Sequence, residues 1–232
     1  MRVVGLIQAR MNSTRLPGKV VREISGLPLI VHIYRRLLAC RGLDEVRVAP
    51  GPEGENPIFN LCCKYGMATK RSMFAECYKD SDLIGRYKDQ WMADPFDAFV
   101  RITADCLFHD PAKMDEIVSQ YRKDYPRNRA LSTWPHRLYS EGLDCEVWST
   151  ELLMELDRTP ECPREGFATW AINQGKCLTF SPMVKENAGE PHLSIDTPQD
   201  FSRAEKMLKI LGNDEWRYEK TLEAYRKVMA EE

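Results

Sequence analysis

The hydrophobic positions of this chain change period repeatedly, and the change predicts strands that alternate with helices. Short runs of β-branched and other apolar residues predict buried strands at 2–8, 45–49 and 97–103. Apolar residues spaced three and four positions apart predict helices at 28–40, 57–66, 82–92 and 110–123. This order of elements favours an α/β fold, a mostly parallel twisted sheet flanked by helices.

The pattern changes near residue 129. Two short β-like segments, 129–134 and 141–149, surround a turn-rich link and predict a small antiparallel insertion at about 129–149, beside the main sheet. The remaining predicted helices are 150–158, 163–174, 198–211 and 215–232, and the remaining predicted strands are 177–183 and 192–196. A length of 232 residues suits one domain, so residues 1–232 are predicted to form a single unit.

Composition narrows the class of protein. The chain is 43% hydrophobic and 29% charged, which is ordinary for a soluble globular protein. A net charge of −2 argues against bulk nucleic-acid binding, which needs a basic face. The apolar run near the N-terminus is too short for a signal peptide or a membrane span, so we expect a cytoplasmic protein without a membrane partner. The eight cysteines contain no C-x-x-C pair, which favours reduced and mostly buried thiols.

One loop concentrates positive charge. The stretch LIQARMNSTRLPGKVV, residues 6–21, places Arg10, Arg15 and Lys19 between the first predicted strand and the next helix. Ligands of open α/β sheets bind at this edge, where backbone N–H groups favour anions. Two guanidinium forks and one ammonium would suit a triphosphate. A solvated basic turn is the alternative, and the loop has neither a Walker motif nor G-x-G-x-x-G.

Two aspartates follow predicted strands at the same edge of the sheet. Asp105 comes after the strand 97–103, and Asp196 ends the strand 192–196. Carboxylates so placed can hold Mg²⁺, which keeps waters and phosphate oxygens as its other ligands. The alternative for a strand-end aspartate is a turn or helix cap. Asp200 is better explained as an acid in the first turn of a helix.

A second acidic feature lies in the predicted β insertion. Asp144 and Glu146 alternate with apolar residues, so a strand would present both on one face. That face is either an ordinary solvent-exposed side or one wall of a substrate pocket. His136 and Arg137 come just before it and could meet an anionic substrate, although a lone histidine is more often structural.

The charged loop resembles a known signature. QARMNSTRLPGKVV is similar to A-R-x-x-S-T-R-L-P-G-K of the cytidylyltransferases that make CMP-activated acidic sugars, the CMP-Kdo synthetase and acylneuraminate cytidylyltransferase type. The likeness is strongest to the spore-coat polysaccharide branch, which also includes phosphonate cytidylyltransferase domains. It continues in the segments DLIGRYKDQW, VRITADC, EGLDCEVWS, PRE and SIDTPQDFSRAE.

The resemblance implies a nucleotidyltransferase fold of the type shared with glycosyltransferases. It also implies Mg²⁺-dependent transfer of CMP from CTP to a small acidic acceptor, a sugar acid or a phosphonate, by a homodimer. The implied catalytic residues are Arg10, Arg15 and Lys19, and the implied metal ligands are Asp105 and Asp196. The implied nucleotide-binding residues are Gln8, Ala9, Arg10, Met11, Ser13, Thr14, Arg15, Lys19 and Arg86. The implied acceptor-binding residues are Asp144, Glu146, His136, Arg137 and Glu165.

Three positions depart from the family pattern. Ala104 replaces a glycine, Leu107 replaces a proline, and Gly166 replaces a histidine. They keep open a catalytically silent nucleotide-binding protein. A nucleotide-sugar glycosyltransferase is a further alternative. Such an enzyme would be expected to have a D-x-D metal-binding motif, to which Asp144-Cys145-Glu146 is only loosely similar. The identity of the acceptor and the choice of CTP over UTP stay open.

Overall fold

The computed structural model describes residues 1–51, 57–70, 78–134, 140–179, 191–212 and 217–231. Its strands are β1 (Val3–Ala9), β2 (Glu23–Ile24), β3 (Leu27–Pro28), β4 (Glu45–Pro50), β5 (Ala98–Thr103), β6 (Ala130–Ser132), β7 (Glu146–Ser149) and β8 (Leu178–Thr179). Its helices are α1 (Leu29–Leu37), α2 (Pro57–Tyr65), α3 (Leu83–Ala93), α4 (Pro111–Asp124), α5 (Thr150–Asp157), α6 (Phe167–Asn173), α7 (Pro198–Leu211) and α8 (Tyr218–Ala230), with a 3₁₀ turn at Lys19–Val21.

Six strands form one sheet in the order β4-β1-β5-β7-β6-β8. Strand β1 pairs in parallel with β4 and β5, and β6 pairs in parallel with β8. Strand β7 runs antiparallel to both of its neighbours, β5 and β6. The prediction of a mostly parallel sheet in an α/β fold is confirmed.

The sheet is buried on both faces because its strands alternate between two cores. On β1, Val3 and Ile7 belong to the larger core, whereas Val4 and Leu6 belong to the smaller one. Successive side chains of a strand point to opposite faces, so a run of apolar residues is expected when helices cover both. The polar residues that follow β1 and β5 are thereby left at the carboxyl edge of the sheet.

Side-chain caps begin several helices. Asp82 caps α3 and Asp110 caps α4, each by accepting a hydrogen bond from a backbone N–H of the first turn. Thr197 and Asp200 form a reciprocal capping box at the start of α7. Asp200 therefore has the first-turn role that the sequence favoured for it.

The predicted antiparallel segment is present, but its strands β6 and β7 lie within the main sheet instead of beside it. Its second strand is shorter than the predicted 141–149, since it begins only at Glu146. A separate two-stranded antiparallel sheet is formed by β2 and β3, which the sequence did not predict. Its turn uses Ser25 and Gly26, both with positive φ.

The predicted strand at 192–196 is wrong. The N–H of Leu193 donates to the carbonyl of Glu141 at 2.7 Å, and the N–H of Ile195 donates to the carbonyl of Asp105 at 2.9 Å. These two bonds reach two different loops, so the segment joins no strand ladder. Of the predicted strand at 177–183, Leu178 and Thr179 are in β8 and residues 180–183 lie outside the described residues.

Six of the seven described cysteines are buried, as predicted for structural thiols, and Cys63 is exposed. Cys77 lies outside the described residues. No helix in the described part of the chain has the length and apolar character needed to span a membrane.

Candidate active site

The charged loop folds back on itself at the end of β1. The carbonyl of Met11 accepts hydrogen bonds from the N–H of Ser13 at 3.0 Å and from the N–H of Gly18 at 2.9 Å. Gly18 has φ +69°, a left-handed conformation that glycine adopts at little cost. This turn starts the 3₁₀ turn at Lys19, whose side chain is only 7% exposed.

Lys19 joins the two predicted metal ligands. Its Nζ lies 2.8 Å from Oδ2 of Asp105 and 3.0 Å from Oδ1 of Asp196, and it donates to the carbonyl of Ile195 at 2.7 Å. Burial of Asp105 opposes its ionised form, but the Lys19 ammonium outweighs this and lowers the pKa of that carboxyl below its usual value. The structure thus brings together the loop and two aspartates that lie far apart in the sequence.

The two arginines of the loop keep solvated heads. Arg15 Nη2 lies 3.0 Å from Oδ1 of Asp196, and the Arg15 side chain is 65% exposed. Arg10 Nη1 lies 3.2 Å from Oε1 of Glu165, and both side chains are exposed. Exposed ion pairs of this kind contribute only about 0–1 kcal/mol, so a phosphate could displace either partner.

Two adjoining cavities meet at these groups. The first cavity, of about 190 Å³, is lined by Gln8, Arg10, Ser13, Thr14, Arg15, Lys19, Val20, Thr103, Ala104, Asp105 and Asp196. The second cavity, of about 310 Å³, is lined by Arg15, Arg101, Thr103, Asp105, Cys106, Trp134, Glu141, Gly142, Asp144, Glu146, Thr169, Ser194 and Asp196. Arg15, Thr103, Asp105 and Asp196 line both, so the two carboxylates stand at the boundary between them.

The second cavity contains the predicted acidic pair. Asp144 precedes β7 and Glu146 begins it, and both line the cavity. Oε2 of Glu146 accepts a hydrogen bond from Nε1 of Trp148 at 3.1 Å and lies 3.3 Å from Nη1 of Arg101. Glu146 is therefore a buried and paired carboxylate, which excludes the solvent-exposed alternative for it.

Other predicted residues lie elsewhere. Arg86 is 1% exposed beneath the end of β1, where Nη1 donates to the carbonyl of Ala9 at 3.4 Å and Nη2 pairs with Asp80 at 2.9 Å. Arg86 thus holds the carbonyl of Ala9 at the point where β1 ends and the charged loop begins. Glu165 pairs with Arg10, which lines the first cavity, and not with the acidic wall of the second. His136 and Arg137 lie outside the described residues.

Several cavity residues were not predicted. Thr103 lines both cavities, and its place at the end of β5, two residues before Asp105, was a signal that could have found it. Glu141 and Ser194 had no such signal, because the backbone bond between Glu141 and Leu193 brings their segments together. His192 bridges them, with Nδ1 3.3 Å from Glu141 and Nε2 2.9 Å from the hydroxyl of Ser194.

The three departures from the family pattern have different surroundings. Ala104 lines the first cavity, next to Asp105. Leu107 is fully buried in the larger core, so it shapes the β5–α4 connection from inside. Gly166 precedes α6 as its N-cap residue.

The donor set around the boundary suits one particular class of metal. Among the described residues, no cluster of three or more His, Cys, Asp or Glu side chains is arranged to hold a metal ion. Asp105 and Asp196 provide two carboxylates at one place, with side chains 26% and 13% exposed. Mg²⁺ commonly takes only one or two carboxylates and completes its shell with water and phosphate oxygens, so these two residues fit it.

Solved structures share this architecture. A cytidylyltransferase from Leptospira borgpetersenii serovar Hardjo-bovis superposes with a TM-score of 0.88 at 26% identity, over 99% of this chain and 96% of that one. The CMP:2-keto-3-deoxy-manno-octonic acid synthetase complexed with CTP superposes with a TM-score of 0.67 at 18% identity, over 90% and 99% of the two chains. The second likeness concerns the fold alone.

Curated relatives match over shorter stretches. The 8-amino-3,8-dideoxy-manno-octulosonate cytidylyltransferase of Shewanella piezotolerans is 28% identical over 142 residues, 61% of this chain and 56% of that protein. The 3-deoxy-manno-octulosonate cytidylyltransferase of Bradyrhizobium diazoefficiens is 54% identical over 48 residues, 21% of this chain and 19% of that protein. The matched stretches therefore span from about a fifth to just over half of these relatives.

The family model described as Cytidylyltransferase matches residues 4–134. That range holds β1 except Val3, the charged loop, β5 and Asp105, and it exceeds half of the 232 residues. The chain belongs to the cytidylyltransferase family.

Proposed function

We propose that the chain is a Mg²⁺-dependent cytidylyltransferase that moves CMP from CTP to a small acidic acceptor and releases pyrophosphate. The observation that carries this proposal is the position of Asp105 and Asp196, joined by the Lys19 ammonium, at the boundary of two cavities. A transfer between two substrates needs both to reach one reacting centre, and the boundary provides such a place.

The first cavity takes the triphosphate. Arg10 and Arg15 reach it with exposed guanidinium groups, and Lys19 reaches it from below. Ser13 and Thr14 add hydroxyl donors. Cations and donors that are fixed in advance stabilise the negative charge that grows on the leaving pyrophosphate, which is the main source of acceleration in phosphoryl transfer. Arg86 acts indirectly, because it supports Ala9 at the base of the loop.

Asp105 and Asp196 would hold the Mg²⁺ ion. When bound, the ion supplies charge neutralisation at the phosphate oxygens. The two carboxylates already share the Lys19 ammonium, so the residues that would bind the metal and the residue that would bind phosphate are in mutual contact.

The acceptor lies in the second cavity, against Asp144 and Glu146. One of its oxygens attacks the α-phosphorus of CTP, a new P–O bond forms, and the bond to pyrophosphate breaks. If that oxygen belongs to an anionic group such as a phosphonate, it is already deprotonated at neutral pH and needs no general base. The relatives that act on octulosonates support a sugar acid, and a phosphonate is the other acceptor class.

Pyrophosphate release tests the proposal. Each of the four nucleoside triphosphates would be incubated with Mg²⁺ and a panel of octulosonate-type sugar acids, sialic acids, sugar phosphates and small phosphonates. We expect release with CTP and one acceptor class. Release of a nucleoside diphosphate from a nucleotide sugar would favour a glycosyltransferase, and CTP binding without turnover on any acceptor would favour a silent binding protein.

We also propose a homodimer, as the family resemblance implies. The segment at about 129–149 is the proposed contact, and residues 1–232 are the proposed single domain. Size-exclusion chromatography with light scattering should give twice the chain mass of 26.8 kDa. A monomeric mass would contradict the dimer.

A further inference from the structure

Gln8 lies at the carboxyl end of β1 and lines the first cavity. Its side-chain oxygen Oε1 accepts a hydrogen bond from Nε of Arg101 at 3.1 Å. The same oxygen accepts a short hydrogen bond from the hydroxyl of Tyr87. Two donors therefore converge on one atom of the amide.

These contacts fix which way the amide faces. An arginine side chain has only N–H donors, so the atom of Gln8 next to Arg101 has to be oxygen and not nitrogen. Burial raises the pKa of Tyr87 to about 12, so its phenol stays protonated and donates at any ordinary pH. The Tyr87 ring is fully buried, with its centroid 4.8 Å from that of Phe99 and 6.1 Å from that of Phe167.

Arg101 is itself held in place. Its Nη1 lies 3.3 Å from Oε2 of Glu146, which also accepts a hydrogen bond from Trp148. Burial alone would lower the pKa of Arg101, but the Glu146 carboxylate raises it above its ordinary value. A chain of paired groups thus runs from the wall of the second cavity to the amide of Gln8.

With Oε1 occupied twice, the amide offers donors and not an acceptor. Within the described residues, its nitrogen Nε2 makes no hydrogen bond to the protein. Among the described residues that line the first cavity, Gln8 alone carries a side-chain amide, beside cations, hydroxyls and carboxylates. A neutral pair of N–H donors is suited to a neutral acceptor on the nucleotide, since the cations serve the triphosphate.

Cytosine and uracil differ in what they show to such a donor. Position N3 is a hydrogen-bond acceptor in cytosine, next to the acceptor O2, whereas N3 of uracil carries a hydrogen and donates. A donor that is fixed next to N3 forms a hydrogen bond with cytosine. With uracil the same donor faces the N3–H donor, and no hydrogen bond forms. A site built around a hydrogen bond rejects the analogue that cannot make it.

We propose that Gln8, positioned by Tyr87 and Arg101, determines the choice of CTP over UTP by donating from Nε2 to N3 of cytosine. The inference rests on the proposed function, because it takes the first cavity as the nucleotide site. Gln8 touches the substrate directly, whereas Tyr87 and Arg101 are positioning residues.

The variant Gln8→Glu separates recognition from structure. Its carboxylate can still accept from Tyr87 and Arg101, but it has lost both donors. We expect kcat/KM for CTP relative to UTP to fall by about tenfold, mainly through KM for CTP. Repulsion of the triphosphate by the new charge acts equally on CTP and UTP, so it cancels in this ratio.

Tyr87→Phe is the matched positioning variant. It removes one of the two donors that hold Oε1 and leaves Gln8 in place, so we expect a smaller fall in the same ratio. Urea unfolding of each variant would verify that it is folded. Folded Gln8→Glu with an unchanged CTP-to-UTP ratio, or with equal losses for both nucleotides, would overturn the inference. Wild-type protein that binds neither nucleotide in calorimetry would overturn the proposed function as well.

Discussion

Lys19 is the residue on which most of the site depends. Lys19→Ala leaves Asp105 and Asp196 without their shared counter-charge and removes the proposed donor to the triphosphate. We expect kcat to fall at least about tenfold, since a charge-assisted contact in the transition state is worth more than about 1.4 kcal/mol. Pyrophosphate-release kinetics would measure it. Lys88→Ala is the control, because Lys88 pairs with Asp157 outside both cavities.

Asp105 gives a second prediction at the residue scale. Asp105→Asn keeps the shape of the side chain and removes its charge, so we expect Mg²⁺-dependent turnover to be abolished. A titration of pyrophosphate release with Mg²⁺ would show this. Asp115→Asn is the control, since Asp115 accepts hydrogen bonds from the backbone N–H groups of Arg41 and Gly42 and lines neither cavity. Full activity of the Asp105 variant at ordinary Mg²⁺ would exclude Asp105 as a ligand.

The sequence predicted the positions of site residues that follow a strand. It did not predict the positions of residues that contact the site only through other residues. Lys19 and Asp105 follow strands whose apolar runs were clear, so the edge of the sheet was predictable for both. Arg86 donates to the carbonyl of Ala9 at the end of β1, and Glu165 pairs with Arg10 instead of lining the second cavity. Their contacts depend on how segments far apart in the sequence pack together, and the periodicity of hydrophobic positions does not predict that packing.

At the scale of an element, the start of α7 holds Asp196, a proposed metal ligand, in place. Thr197 caps this helix, and the backbone N–H of Asp196 donates to Asp200 in the same turn. Thr197→Ala should lower the free energy of unfolding by about 1 kcal/mol and also reduce turnover, because the backbone of Asp196 loses its support. Urea unfolding and pyrophosphate release would measure the two effects.

Ser149→Ala is the matched control for that prediction. Ser149 caps α5 with the same kind of hydrogen bond, at 3.1 Å to the N–H of Leu152, and it lines neither cavity. It should cost a similar free energy of unfolding and leave turnover unchanged. Equal turnover in both variants would mean that the cap of α7 only stabilises the helix.

Helices were easier to predict than strands for a physical reason. Caps such as Asp82 and Asp110 are local in the sequence, so the starts of α3 and α4 could be predicted to within a residue. The segment 192–196 alternates like a strand because Leu193 and Ile195 are buried. They enter the core from a loop, and alternation alone does not distinguish the two cases.

Ion pairs that tie distant parts of the chain together set the response of the whole molecule to acid. Arg2 and Arg47 hold Asp94 and Glu45, which connects the N-terminus, β4 and the end of α3. A hydrogen bond from Arg2, with the neighbouring Arg47 charge, lowers the pKa of Asp94 to about 2. The pKa of Glu45 is also lowered, chiefly by its hydrogen bond from Arg47.

A folded-state pKa below the unfolded value means stabilisation that is complete above the ordinary carboxyl pKa. For Asp94 it is lost as pH falls from its ordinary value of 3.8 through about 2. Urea unfolding from pH 7 to pH 2 should show little change from this group down to about pH 5, and a decline below it. Asp94→Asn should decline less steeply between pH 4 and pH 2, and an identical slope would contradict the assignment.

The topology of the whole sheet was predictable in its parallel part only. Helices between β1, β4 and β5 imply parallel crossovers, and these strands do pair so. The place of β6 and β7 was not predictable, because their alternation suits a separate sheet as well as the main one. Trp148 of β7 is fully buried in the smaller core, so the burial of this side chain favours the position of β7 within the main sheet.

The residues that line both cavities differ in their expected tolerance of substitution from those that line the second cavity alone. Thr103, Asp105 and Asp196 line both cavities, so under the proposed function we expect a change at any of them to affect the binding of both substrates. Trp134 and Thr169 face the second cavity alone. Substitutions at Trp134 and Thr169 could therefore change the acceptor of the proposed reaction and leave the first cavity, the proposed nucleotide site, unchanged.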